Sequence, residues 1–226
     1  GNVGAGVVKV LQDNSLLIEE RAQAKINIKK IADIDIKRPR SVVVPPTLLT
    51  TDVAEIINDP EISIVVEAIP GADPARKFIL DSIERGKHVV SSNKEVIAKH
   101  MAEILERARR KNVVVSFEGS VGGGIPIIVP LRECLAANRI TEVYGIVNGT
   151  TNYILSKMTE GGYEFEEALD EAKKLGYAEA DPRLDIEGYD ASYKAAILAS
   201  VAFHSEVPWD TLYFEGITKI KKEDIK

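Results

Sequence analysis

Short, β-branched apolar runs recur through the first half of the chain, and they constrain the fold more than any other feature. They are Ile62–Ile69 (ISIVVEAI), His88-Val-Val-Ser91 and Val113–Phe117. Runs of this length suit buried strands of a parallel sheet better than helices. Amphipathic stretches separate them: Asp73 to Arg85, with Asp73 as an N-cap candidate, and Val96 to Arg110. Upstream, the isoleucine-rich segment Ile26 to Ile36 ends in a β-like run. A helix is expected over Thr50 to Asn58, capped by Thr51. Alternating strands and helices predict a doubly wound α/β domain.

The chain opens on Gly1-Asn2-Val3-Gly4-Ala5-Gly6 and runs into an amphipathic helix through Val7, Val8, Val10 and Leu11. A glycine turn feeding a helix is half of a dinucleotide-binding fingerprint, with Gly1 and Gly4 as its later glycines. The fingerprint needs a preceding strand and one more glycine, so further residues are expected before Gly1. Backbone N–H groups at such a helix start, with the positive end of the helix dipole, favour a pyrophosphate. On its own the turn is equally well read as a tight bend with a small-residue helix contact. The acid that would hold the ribose has two candidates, Asp33 and Asp35. Lys37, Arg38 and Arg40 follow and could instead neutralise a 2′-phosphate, so NAD and NADP both stay open.

After Glu118 the pattern changes. Ser-Val-Gly-Gly-Gly-Ile-Pro breaks the chain, Ile125 to Ala137 is an expected helix, and Arg139 to Asn148 an expected strand. Three further helices are expected over Asn152–Thr159, Phe165–Leu175 and Asp190–Phe203. One strand is too little sheet for a complete α+β domain. Two domains are therefore expected, 1–118 binding a dinucleotide and 119–226 binding substrate, both incomplete in this chain.

A net charge of -6 disfavours nucleic acid and anionic membranes as partners. Cys134 is the single cysteine, so no intrachain disulfide can form, and a structural zinc site lacks ligands. Cys134 is expected to be a small buried filler, and Tyr144, Tyr153 and Tyr177 to serve packing. Three scattered histidines leave little material for a histidine-based centre. No apolar run approaches a spanning helix and no signal-peptide pattern opens the chain, so a cytoplasmic protein is expected.

The densest chemistry lies in Ala172–Lys194, AKKLGYAEADPRLDIEGYDASYK. It gathers Glu179, Asp181, Asp185, Glu187 and Asp190, ends on Lys194, and leads into the small apolar run Ala195–Val201. Acids at the edge of a core suit a site that grips an ammonium group. Taken alone, Asp190 and Lys194 at i and i+4 form an ordinary helix-surface ion pair, worth about 0.2–0.5 kcal/mol. Lys94, in Ser92-Asn93-Lys94, follows an apolar strand at the edge where open α/β sheets bind ligands. Position alone still favours a solvated lysine there.

The order Ala, Gly-Tyr, Asp-Pro, Asp, Gly, Asp and a closing Lys in that segment resembles the signature of homoserine dehydrogenases. The resemblance extends from Gly1 to Gly216-Ile217 and includes Asn148-Gly-Thr-Thr-Asn152-Tyr, expected to be a capped helix start facing the substrate. It implies a Rossmann-type domain and an α+β substrate and dimerisation domain. It further implies reversible NAD(P)-dependent interconversion of L-aspartate 4-semialdehyde and L-homoserine, on the route to threonine and methionine, by a homodimer. Lys194 is then the proton donor and Lys94 its companion on the nicotinamide side, where Ser-Ser stands for the commoner Thr-Ala. Glu179, Asp190 and Asp185 would hold the substrate. Gly1, Asn2, Val3, Gly4, Asp35, Arg38 and Lys94 would hold the cofactor. Glu118, Val121, Gly123 and Ile125 would bind a monovalent cation (Na or K), although three glycines and a proline alone read as a hinge. Two rivals remain: another NAD(P)-dependent oxidoreductase of an amino-acid-derived carbonyl, and a non-enzymatic nucleotide-sensing module.

Overall fold

Parallel strands can pair only after a crossover, and between residues 64 and 116 helices supply it. The computed structural model describes residues 1–225. It divides into two compact units, one formed by 1–96 with 100–117, the other by 97–99 with the chain from Glu118 onward. In the first unit α1 (Asn2–Asp13) and α2 (Ser15–Ala22) lead to β1 (Ile31–Ala32), which pairs in parallel with β2 (Leu49–Thr50). Helix α3 (Ala54–Ile57), β3 (Ile64–Glu67), α4 (Asp73–Glu84), β4 (His88–Ser91), α5 (Lys94–Lys111) and β5 (Val115–Ser116) follow. Strands β3, β4 and β5 form one parallel sheet in that order. The α/β architecture expected from the alternating runs is present.

Helix α4 buries Ala75, Ile79, Leu80 and Ile83, one face at helical spacing, and packs against β3 and β4. Residues side by side in the sheet share a face, so Val65 lies beside Val89 and Glu67 beside Ser91. That face is covered. The opposite one, with Ile64, Val66 and Val90, is 41–49% exposed, so these strands are not buried on both sides as their composition suggests.

Two local expectations fail for side-chain reasons. The segment 50–58 is not one helix: Thr50 belongs to β2, and its hydroxyl accepts from the Asp52 N–H at 3.0 Å. The Asp52 carboxylate then accepts from the Ala54 N–H at 2.8 Å, so a side-chain turn precedes a short helix and Thr51 caps nothing. Asp73 lies inside the first turn of α4 and Ala72 takes the cap position. The carboxylate there still favours the helix dipole.

In the second unit the helix expected over Ile125–Ala137 shrinks to a turn at 128–134, π-helical over Pro130–Cys134. Pro126 and Pro130 lack the N–H that a longer helix needs. Leu131 takes the buried position on this turn and leaves Cys134 exposed, contrary to its expected role as filler. The segment 139–148 forms no strand, because no partner among the described residues offers a ladder; Tyr144 is 88% exposed, contrary to its expected packing role.

Helices α6 (Gly149–Gly161), α7 (Phe165–Leu175), α8 (Arg183–Ile186) and α9 (Tyr189–Ala202) complete the unit. Ile154, Met158, Phe165, Ala168, Leu169, Ala172, Ala178 and Ile186 make its core. Glu164 and Glu167 cap α7 reciprocally, and Gly176 ends it in the left-handed region at φ 79°. Gly188, at φ 88°, starts α9. A Cβ there would lie 2.8 Å from the Glu215 carbonyl oxygen and 3.2 Å from the Phe214 ring. Gly188→Ala therefore carries both an unfavourable backbone conformation and a clash, and should destabilise the protein by about 1–3 kcal/mol. The urea unfolding midpoint checks this; an unchanged midpoint would show that segment 214–216 yields freely.

Candidate functional site

Helix α9 places Asp190 one turn before Lys194, and the apolar residues around them draw the pair inward. The side chains are 2% and 17% exposed, so the pair is no surface ion pair. Lys194 Nζ donates to Asp190 Oδ2 and to the Val147 carbonyl, each at 2.7 Å. Burying a carboxylate requires partners for it. Asn148 supplies one more: its Nδ2 donates to Asp190 Oδ2 and to Asp185 Oδ1, both at 2.7 Å. Asn148 Oδ1 accepts the N–H of Thr151 at 2.8 Å and its hydroxyl at 3.0 Å, capping α6. Four elements thus meet in one polar group: the end of segment 139–148, α6, α8 and α9.

Glu179 stands apart from this group, exposed, in the loop between α7 and α8. The loop is pinned beside α6: Thr150 donates its hydroxyl to the Tyr177 carbonyl at 2.7 Å, and the rings of Tyr153 and Tyr177 stack at 4.6 Å. Tyr153 also donates to Glu171, which pairs with Lys157. The two tyrosines do pack, as their positions suggest. Asp181 turns away to Arg183, whose guanidinium holds its carboxyl down to about 2.

In the first unit, the register of β3 and β4 brings Glu67 and Ser91 together at the carboxyl edge of the sheet. Ser91 donates to the buried Glu67 carboxylate at 2.6 Å, and its oxygen accepts the Asn93 N–H at 3.1 Å. Asn93 donates to the carbonyls of Ile69 and Gly71 and caps α5 through the Val96 N–H. Lys94 is the first residue of that helix. It therefore lies at the carboxyl edge of the sheet, where its position in the sequence puts it.

At the chain start, Gly1 is the N-cap of α1, with Asn2, Val3 and Gly4 in its first turn. An Arg38 Nη lies 4.0 Å from where a Gly1 Cβ would be. Asp33, directly after β1, pairs with Arg38 at 3.3 Å and Arg40 at 3.2 Å. Burial pushes the Asp33 carboxyl up, but the Asp35 N–H and the two guanidiniums outweigh it and hold it below the usual range. Asp35 spends an oxygen on the N–H groups of Lys37 and Arg38. Helix-start N–H groups beside guanidiniums are the donors a phosphate-bearing dinucleotide needs.

Glu118 accepts three backbone N–H groups, from Ile127, Ile128 and Val129, at 2.5, 2.8 and 2.8 Å. Burial raises its carboxyl; those three donors more than offset this and hold it below the ordinary glutamate range. With three of about four acceptor directions used, little of Glu118 is left for a cation. Among the described residues no cluster of three or more His, Cys, Asp or Glu side chains could hold a metal.

Residues 1–118 match the family model of the homoserine dehydrogenase NAD-binding domain, and residues 126–226 that of homoserine dehydrogenase. The chain belongs to the homoserine dehydrogenase family. It is 47% identical to the homoserine dehydrogenase of Synechocystis sp. and 42% identical to that of Bacillus subtilis, across 100% of this chain and 52% of each relative. The chain thus spans about half the length of these curated relatives. A crystal structure of a homoserine dehydrogenase from Thiobacillus denitrificans superposes with a TM-score of 0.91 at 44% identity, over 99% of this chain and 52% of that one. A hyperthermophilic archaeal homoserine dehydrogenase in complex with NADPH matches at 33% identity and a TM-score of 0.68, over 77% of this chain and 53% of that one. The first part of the chain is accordingly a Rossmann-type NAD-binding domain.

Two residues that organise this chain escape sequence reasoning. Asn148 is legible as a helix cap, but its bridge between two distant carboxylates has no local signature. Glu67 is the lone acid in ISIVVEAI, and only strand register reveals its partner. Glu118, marked in the sequence for a different role, is tested by Glu118→Gln. The glutamine keeps one acceptor but turns an NH2 toward the Val129 N–H, at a cost of about 1–2 kcal/mol near neutral pH. A depressed folded-state pKa gives stability that is present above the unfolded value and lost as pH falls through the folded one. The gap between wild type and variant in urea denaturation should therefore close in acid; a gap independent of pH would refute this role.

Proposed function

We propose that this protein reversibly interconverts L-aspartate 4-semialdehyde and L-homoserine with NAD(P). The observation that carries the proposal is the buried Asp190–Lys194–Asn148 group within a member of this family. A lysine ammonium has three donors. Two are committed, to Asp190 and to the Val147 carbonyl. The third remains for the substrate oxygen. There Lys194 passes the proton: to the oxygen as the aldehyde is reduced, from the hydroxyl as homoserine is oxidised. Its positive charge also stabilises negative charge on that oxygen in the transition state.

The nicotinamide cofactor, when bound, supplies the hydride exchanged at the substrate carbon. Gly1, Asn2, Val3 and Gly4 offer it the N-terminus of α1, and Arg38 adds positive charge. Asp35 and Lys94 complete the cofactor set by resemblance, Lys94 as the second lysine of the reaction. Glu179 is exposed yet mounted on a pinned loop, which suits capture of the incoming α-ammonium group. Asp185 and Asp190 supply further negative charge, so the substrate's amino end is fixed and its reacting end placed. The same reading carries a small-molecule substrate, a homodimer and a cytoplasmic location. No helix among the described residues is long and apolar enough to cross a membrane. A monovalent cation would depend mainly on the carbonyls of Val121, Gly123 and Ile125, since Glu118 has little acceptor capacity left.

Nicotinamide absorbance with L-homoserine tests the activity on the complete protein; no homoserine-dependent signal would overturn it. Lys194→Ala should lower kcat by about 10²–10⁴-fold with cofactor affinity nearly unchanged. A variant retaining a tenth of the wild-type kcat would remove Lys194 from proton transfer. Glu179→Gln should instead raise KM for homoserine, because it removes charge facing the ammonium group and not the reacting oxygen. An unchanged KM with reduced kcat would assign Glu179 a different task.

A further inference from the structure

Asn148 is not ionisable, yet it bonds to more of the polar group than any other side chain. Its amide orientation is fixed by its surroundings. The NH2 faces two carboxylates, Asp185 Oδ1 and Asp190 Oδ2, and the oxygen faces two donors from Thr151. The flipped amide would set oxygen against both acids and NH2 against the Thr151 N–H. All four hydrogen-bonding directions of the side chain are satisfied at once.

Few side chains can do this. A serine caps a helix comparably but is too short to reach both acids, and it has one donor. An aspartate has the same shape and caps as well, but it brings a third carboxylate against two others. Alanine has neither function. Asparagine alone joins the start of α6 to the acids of α8 and α9 at this length.

The bridge acts on the reaction through Asp190. Its Oδ2 accepts from Asn148 and from Lys194, both at 2.7 Å, so the two donors share one oxygen and set its position. The carbonyl that receives the second Lys194 bond belongs to Val147, the residue directly before Asn148. Asn148 thereby fixes both anchors of the Lys194 ammonium, one through its side chain and one through its backbone.

We propose that Asn148 is a positioning residue of the reaction, which holds Asp185 and Asp190 in register and through Asp190 aims Lys194. The proposal rests on the function proposed above and adds a determinant of kcat that makes no covalent or proton-transfer step of its own. Misplacing a reacting group by about 1 Å is sufficient to cost on the order of 10²-fold in rate.

Capping and bridging can be separated by substitution in the complete protein. Asn148→Ser and Asn148→Asp keep a capping oxygen for Thr151 and lose the double donor; Asn148→Ala loses both. The expected result is a thermal midpoint for Asn148→Ser above that of Asn148→Ala, with kcat for homoserine oxidation about 100-fold below wild type in both. KM for the cofactor should stay within about twofold. Asn148→Asp, with a carboxylate in place of the bridge, should be no more active than Asn148→Ser. Should Asn148→Ser fail to fold, the kcat of Asn148→Asp decides. A folded serine or aspartate variant with kcat within threefold of wild type would overturn the proposal, as would a serine variant whose kcat recovers together with its midpoint. Wild-type protein that shows no turnover of homoserine would instead refute the proposed function, a distinct outcome read in the same assay.

Discussion

The buried carboxylate of Asp190 is the constraint around which the second unit is organised. A charge removed from water is tolerated only with a partner of opposite sign and enough hydrogen bonds. Helix α9 meets the first condition itself, because residues four apart lie on one face. The second draws in Asn148 and, behind it, the start of α6 and the acid of α8. Removing one member of a buried pair typically costs about 3–5 kcal/mol. Such pairs are poor sources of stability. Here the pair determines where one ammonium group points, which matters more to a reaction than to a fold.

The first unit solves its placement problem with strand register. Parallel pairing puts Glu67 beside Ser91, and from that contact follow the Asn93 bonds and the start of α5 at Lys94. Each step is local, yet the first is set by two strands separated by a whole helix. A slip of one residue would turn Glu67 to the exposed face and dissolve the arrangement.

Much of this was legible in the chain itself. Strands β3 and β4, helices α4, α5, α7 and α9, and the α/β class follow from apolar runs and their spacing. Two of the failures share a cause: polar side chains and prolines rerouted backbone that apolar pattern alone would have made regular. Thr50 and Asp52 delayed α3, and Pro126 and Pro130 cut a helix to one wide turn; segment 139–148 failed differently, finding no ladder partner among the described residues. At the site, Asp185, Asp190 and Lys194 were marked by density of charge and by family resemblance. What pattern could not supply was burial. Taken from sequence, Asp190 and Lys194 are one more solvated pair, and only the packing of α9 distinguishes them from Lys77 and Asp81 on α4.

Helix α8 is four residues long, far below the length at which a helix persists in water by itself. It is clamped from two sides. Asn148 holds its Asp185, and the Ile186 carbonyl accepts the Ile217 N–H at 2.8 Å, where Gly216 passes too close for any side chain. The element therefore has no local unfolding route of its own: it opens only when α6 or the 214–217 segment lets go. Its amide protons would exchange with solvent on the schedule of the surrounding unit, and not on that of an exposed loop. A carboxylate carried on such an element is held by its neighbours, although the sequence around it, with Gly176, Pro182, Gly188 and many charges, has the composition of a mobile turn.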